Sequence, residues 1–263
     1  MHTDYETLTL ETPAEHVLRV VLDRPPANAL NTQMGRDLLD LWMSLYVDPE
    51  QVRCVVVTGR GDKCFCAGGD LKERNGMTDA QWQQQHALFE QMISAMMNCP
   101  LPVIAAVNGA AFGGGTEIAA AADFVYAAAD ARFALTEVTL GIMPGCMGTQ
   151  NLPRAVGVRR AKEIILTGLP FSATEAADWG LVNRVTDSDA LVAETLAVAE
   201  RIAGNAPIAT RQAKKSISMA EQIDGHNGYL YEIEAYNRMV VSEDRLEGVA
   251  AFNEKRKPVF RGR

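Results

Sequence analysis

Short, mostly apolar runs recur along the first half of the chain, each closed by proline or glycine, and longer amphipathic stretches separate them. His16 to Leu22 (HVLRVVL) is stopped by Arg24-Pro25-Pro26, Arg53 to Thr58 (RCVVVT) by Gly59, and Val103 to Val107 by Asn108-Gly109. Runs of this length without polar alternation read as strands covered on both faces. From Asn31, Met34, Leu38, Leu41, Trp42 and Leu45 fall on one helical face, and Thr78-Asp79-Ala80-Gln81 is a capping box that opens a helix to about Asn98. Thr116 to Ala122 suits a short helix, and Asp123 to Ala127 and Arg132 to Leu135 suit strands. Such alternation demands an α/β fold with parallel pairing, because antiparallel hairpins leave no room for the intervening helices.

From Asn151 onward the pattern is mostly helical, with a second capping box at Ser172-Ala173-Thr174-Glu175. Pro207 follows Gly204-Asn205-Ala206 and suits the first turn of a new helix. We therefore place a boundary there: residues 1–204 form the core, and residues 205–263 a C-terminal region of two or three amphipathic helices. Its end, Glu254 to Arg263, carries five basic residues and one acid.

At 263 residues the chain fits one large domain, or one domain with an appendage, and can bury a core with room for a ligand pocket. There are 25 basic and 33 acidic residues, a net charge of −8, which argues against a general nucleic-acid or membrane-surface binder. The five cysteines show no paired CxxC knuckles, so free thiols in a reducing compartment are expected, with no structural zinc. Met1 to Thr12 carries three acids and no apolar run, unlike a signal or transit peptide, and no apolar run reaches the ~18 residues of a membrane span. A cytoplasmic protein is the expectation.

Three constellations can carry chemistry. In Cys64-Phe65-Cys66-Ala67-Gly68-Gly69-Asp70, adjacent glycines allow close backbone approach to a ligand, although they also suit a tight surface loop. Gly113-Gly114-Gly115-Thr116-Glu117 leaves unpaired N–H groups at a helix start, which suits an oxyanion or phosphate, or simply close strand–helix packing. It is neither a Walker loop nor a GxGxxG fingerprint. Glu137 stands among apolar residues, as Glu117 does before Ile118-Ala119-Ala120-Ala121. The histidines His2, His16, His86 and His226 accompany no GxSxG motif, and no ligand cluster suggests a metal.

Taken in order, FCAGGDLKE, IAAVNGAAFGGGTEIAAAADFVYAA, FALTEVTLGIMPGCMGTQNLPRAVG, LTGLPFSATEAADWGLVNRV and EDRLEGVAAFNEKRKP resemble the enoyl-CoA hydratase/isomerase (crotonase) family over nearly the whole chain. DLKER, NLPRAVG and EDRLEG resemble its methylglutaconyl-CoA hydratase branch. The resemblance implies a spiral of ββα units and a C-terminal helical region that makes a homotrimer or a dimer of trimers. It implies an acyl-CoA substrate, and no cofactor beyond the coenzyme A that the substrate brings.

By the same resemblance, backbone N–H groups of Ala67 and Gly114 form the oxyanion hole, with Glu117 activating water and Glu137 delivering the α-proton. CoA contacts fall on Arg24, Ala27, Ala67, Gly68, Gly69, Asp70, Leu71, Gly113 and Lys255. The acyl pocket draws on Met77, Trp82, Phe89, Phe112 and Cys146. Phe112 replaces a leucine common among relatives, and Cys146-Met147 a small Ala-Gly pair, so an acyl chain other than crotonyl is expected. Two glutamates point to hydration. An isomerase or a branched-chain hydratase is the alternative, and an RNA-binding relative a weaker one given the acidic charge.

Overall fold

A computed structural model describes residues 4–263, so Met1 to Thr3, where the segment without targeting features begins, and His2 with them, lie outside the described residues. The strands β1 (Leu8–Ala14), β2 (Val17–Leu22), β3 (Cys54–Gly59), β4 (Cys64–Cys66), β5 (Val103–Val107), β6 (Ala110–Phe112), β7 (Phe124–Ala128), β8 (Arg132–Ala134), β9 (Phe171–Ser172) and β10 (Arg184–Thr186) form two sheets. The larger has the order β1-β2-β3-β5-β7-β10, parallel except for the β1–β2 hairpin. The smaller has the order β4-β6-β8-β9.

The chain climbs by repetition. β3 and β4, β5 and β6, then β7 and β8 each give one strand to the large sheet and the next to the small one before a helix follows. The first of these helices are α1 (Thr32–Val47), α2 (Leu71–Arg74), α3 (Asp79–Met97) and α4 (Gly114–Ala121), and a 3-10 turn (Glu137–Leu140) follows β8. The result is the expected spiral of ββα units. All of β3 and β5 is buried, as their unbroken apolar runs require. Asn108 ties the ends of these two strands: its Oδ1 accepts from the Gly59 N–H at 2.9 Å and its Nδ2 donates to Gly59 O at 3.1 Å.

Five strands exceed the expectation. β1 is a half-exposed edge with little β-branched character, and β4, β6, β9 and β10 have two or three residues each, too few to show a period. The Cys64–Cys66 segment, read as a loop from its glycines, is a fully buried strand paired with β6.

Then come α5 (Gly148–Val156), α6 (Val158–Thr167), α7 (Ala173–Trp179), α8 (Leu191–Ala203), α9 (Pro207–Ala220), α10 (Gly225–Val240) and α11 (Glu243–Asn253). The boundary at residue 204 falls between α8, which packs on the large sheet, and α9. Lys214 of α9 is paired with Asp123 at 2.8 Å and donates to Leu101 O at 2.8 Å, and Arg53 donates to Phe260 O at 3.0 Å. Pro207 is the buried residue of α9 and Ala235 that of α10, whereas Tyr236, Val241 and Phe252 stand exposed. No helix among the described residues is long and apolar enough to cross a membrane.

Candidate active site

The first and second sheets meet at a corner made of glycine. Gly113 N–H donates to Ala134 O at 2.8 Å, and the Thr116 hydroxyl donates towards Ala111 O at 2.5 Å, which seats α4 on β6 and β8. Gly115 lies against β4 so closely that a Cβ there would stand 2.1 Å from Cys66 O. Gly113 has φ +51°, and a Cβ on it would meet Glu137 Oε1 at 2.9 Å. Only glycine permits both approaches. As the first residue of α4, Gly114 has an N–H with no intrahelical acceptor.

Opposite stands the loop after β4. Leu30 pairs with Gly69 as an isolated parallel bridge, with Leu30 N–H donating to Gly68 O and Asp70 N–H to Leu30 O. This bridge leaves the Gly69 N–H outside it, 3.9 Å from where a Cβ on Gly114 would be. Ala67 is different: its N–H donates to Ala27 O at 3.0 Å. The expected Ala67 donor is therefore corrected, because that amide is engaged within the protein, and Gly69 offers the amide facing Gly114.

These groups line a cavity of about 790 Å³ that also takes in both glutamates. Glu117 is 3% exposed, and its Oε1 accepts from the N–H groups of Cys146 at 2.7 Å and Gly148 at 2.9 Å. Burial pushes its carboxyl up to about 7; the Gly148 N–H works against that rise, and the nearby Glu137 charge adds to it. Glu137 opens the 3-10 turn, and burial raises its carboxyl too, against its own N–H and the Arg74 charge. Its Oε2 is buried without a hydrogen-bond partner. The corner thus holds two carboxyls whose burial favours the protonated form, beside two amides open to an incoming oxygen.

Of the residues expected at the site, Ala67, Gly68, Gly69, Leu71, Gly113, Gly114, Glu117, Glu137, Trp82, Phe89 and Cys146 do line the cavity. Others do not. Arg24 pairs with Asp70 at 2.6 Å and donates to Ala29 O, while Ala27 O accepts from Ala67, so these residues brace the loop from behind. Burial alone would raise the Asp70 carboxyl, but the Glu73 N–H, Arg24 and the Lys72 N–H hold it below its ordinary value. Met77 sits in the turn between α2 and α3. On β6, Ala111 points into the core and Phe112 lies on the other face. Lys255 follows α11 on the exposed surface, away from this cavity.

The sequence reading missed Arg74, Gln85 and His86. Arg74 Nε donates to Gln85 Oε1 at 2.8 Å, and its guanidinium lies 4.5 Å from the Trp82 ring centre. His86 lines the cavity beside Glu90, 2.7 Å from it. A signal existed for Gln85. It shares the buried stripe of α3 with Phe89, Met92, Ile93 and Met96, where a polar residue needs a partner.

Comparison with known proteins shows the family and the fold. The family model for enoyl-CoA hydratase/isomerase matches residues 12–263. (E)-benzylidenesuccinyl-CoA hydratase of Thauera aromatica is 39% identical over 256 residues, 97% of this chain and 99% of that protein. Carnitinyl-CoA dehydratase of Citrobacter koseri is 37% identical, covering 94% of this chain and 95% of that one. The crystal structure of an enoyl-CoA hydratase from Bacillus anthracis superposes with a TM-score of 0.96 at 42% identity, covering 98% of this chain and 100% of that one. With the crotonase spiral traced strand by strand and the match running almost end to end, the chain belongs to the enoyl-CoA hydratase/isomerase family.

Proposed function

We propose that the chain hydrates a 2-enoyl-CoA thioester. The observation that carries this reading is the meeting of two buried carboxyls, Glu117 and Glu137, with the open amides of Gly69 and Gly114 in one cavity. The thioester oxygen accepts from Gly69 and Gly114. A water held between the glutamates loses a proton to the ionised carboxylate, Glu117 in our assignment, as its oxygen bonds to C3. The π electrons move onto the thioester oxygen, and this enolate takes a proton at C2 from protonated Glu137. Each amide donor is worth roughly 3 kcal/mol in such a transition state. Raised carboxyl values suit this sharing of one proton between two groups.

Isomerisation of the double bond needs a single carboxylate to carry a proton, and the presence of two favours hydration. The exposed apolar residues of α10, α11 and the turn between them, Tyr236, Val241 and Phe252 among them, support a homo-oligomer built on the C-terminal helices. The test is loss of enoyl-thioester absorbance across crotonyl-CoA, longer straight-chain and branched 2-enoyl-CoAs. Turnover that disappears in the Glu117→Gln, Glu137→Gln double variant is the expected result. Silence across the panel with CoA thioester binding intact would move the assignment to a sibling reaction.

A further inference from the structure

We propose that Arg74 makes this cavity selective for acyl-CoA thioesters whose acyl group ends in a carboxylate. The inference rests on reading the cavity as the enoyl-CoA site and names the substrate class it takes. Arg74 is the last residue of α2 and lines the cavity alongside Leu71, Trp82, Phe89, Ile142 and Met143. Gln83, His86 and Glu90 also line it, but the rings packed against the guanidinium are Trp82 and Phe89, and a half-buried cation there is out of place unless something pairs with it.

The protein holds the guanidinium by one edge. Nε donates to Gln85 Oε1 at 2.8 Å, and the plane rests over Trp82 at 4.5 Å and near Phe89 at 5.7 Å. Gln85 is 4% exposed and is itself fixed, donating to Thr32 Oγ1 and Glu73 Oε2, each at 2.8 Å. The terminal nitrogens of Arg74 donate no hydrogen bond to any described residue, and no carboxylate among the described residues comes within salt-bridge distance. One of them, Nη1, lies 3.1 Å from where a Cβ on Gly69 would stand. The fork is oriented, half-buried and open on the side where ligand enters. That is the arrangement a carboxylate occupies with two parallel hydrogen bonds.

Position decides which part of the ligand it meets. The thioester oxygen belongs at Gly69 and Gly114, and the carbons beyond it run towards Glu117 and Glu137. Arg74 lines the same cavity as both glutamates and reaches it beside Gly69, so it flanks that acyl path. A chain ending in methyl would strip water from the guanidinium and return no partner. A chain ending in carboxylate supplies one.

The experiment compares two saturated ligands of equal chain length, glutaryl-CoA and valeryl-CoA, by calorimetry, so that the shared CoA moiety cancels. Wild-type protein should bind glutaryl-CoA at least about tenfold more tightly. The ratio should collapse to one or invert in Arg74→Met and be partly kept in Arg74→Lys. Equal affinities in the wild type, or a ratio that survives Arg74→Met, would overturn the proposal. Should Arg74→Met not fold, as judged by circular dichroism, Gln85→Ala takes its place and should shrink the ratio by freeing the guanidinium. An unmoved ratio there also counts against the proposal. Hydration of crotonyl-CoA and glutaconyl-CoA is followed separately. Failure of both with the glutaryl preference intact would sink the hydratase reading and leave the arginine assignment standing.

Discussion

The two sides of the cavity are built from different material. The glycine corner, Gly68 and Gly69 with Gly113 to Glu117 and Glu137, is main chain and carboxyl, held by strand pairing and a helix start. The facing wall, α2 and α3, is side chain: Arg74, Trp82, Gln85 and Phe89 hold one another across two helices. The corner has no slack, and the turn within the wall has plenty. A Cβ on Gly115 would meet Cys66 O at 2.1 Å, while one on Gly76 would meet nothing within 4 Å. On the reading proposed above, chemistry that demands fixed amides falls to backbone, and selection among acyl groups to side chains that substitution can retune.

That contrast is sharpest for the fold itself. Gly115→Ala should destabilise the protein by about 4 kcal/mol or more, because β4 and α4 cannot separate without breaking both sheets' shared corner. Gly76→Ala, at φ +89° in open space, should cost about 1 kcal/mol. Denaturant unfolding of the two variants measures both, and equal losses would erase the distinction between corner and wall.

Within the corner, Glu137→Gln should keep the fold yet lower kcat/KM for a 2-enoyl-CoA by about 10²–10⁴-fold, the range of positioned acid–base groups. Its Oε2 makes no protein hydrogen bond, so little structure depends on the charge. A fully active Glu137→Gln enzyme would remove this carboxyl from the reaction.

Glu117 gives a smaller and pH-dependent effect. Its carboxyl rises on folding, from 4.5 to about 7, so the fold favours the protonated form. The stability this contributes is complete below about pH 4.5 and is lost as pH climbs through 7. Glu117→Gln mimics the protonated form, and its amide oxygen can still accept from Cys146 and Gly148. Wild type and variant should be equally stable near pH 4, and the variant more stable by on the order of 3 kcal/mol at pH 8. Melting temperatures across this window test it, and a pH-independent gap would contradict the buried-carboxyl assignment.

The sequence displayed most of the corner but only the apolar groups of the wall, for a physical reason. Consecutive glycines, and carboxylates set among apolar residues, are local signals that leave packing or surface readings open, and the order of motifs shared with the family is what singles out Gly113, Gly114, Glu117 and Glu137. Which amide faces the ligand depends on the pairing of Leu30 with Gly69, a contact across 39 positions of chain, and Ala67 was chosen in place of Gly69 for want of it. Arg74 and Gln85 lie 11 residues apart on separate helices, and only packing joins them. The fully buried strands of the large sheet were readable from composition, whereas β4, β6 and β10 were too short to declare themselves.

The smallest effect tests whether the wall acts as a unit. The Trp82 face under Arg74 offers a cation–π contact worth about 1 kcal/mol at a partly exposed site. Trp82→Leu removes that face and keeps the wall apolar, while Gln85 still holds Nε. The glutaryl-to-valeryl affinity ratio should therefore fall about fivefold, less than in Arg74→Met. The ratio is the proper readout, because the space vacated by the indole changes the fit of both chains alike, whereas a less firmly held guanidinium weakens only the carboxylated one. If both affinities move together, Trp82 merely fills space, and the selectivity of the wall belongs to Arg74 and Gln85.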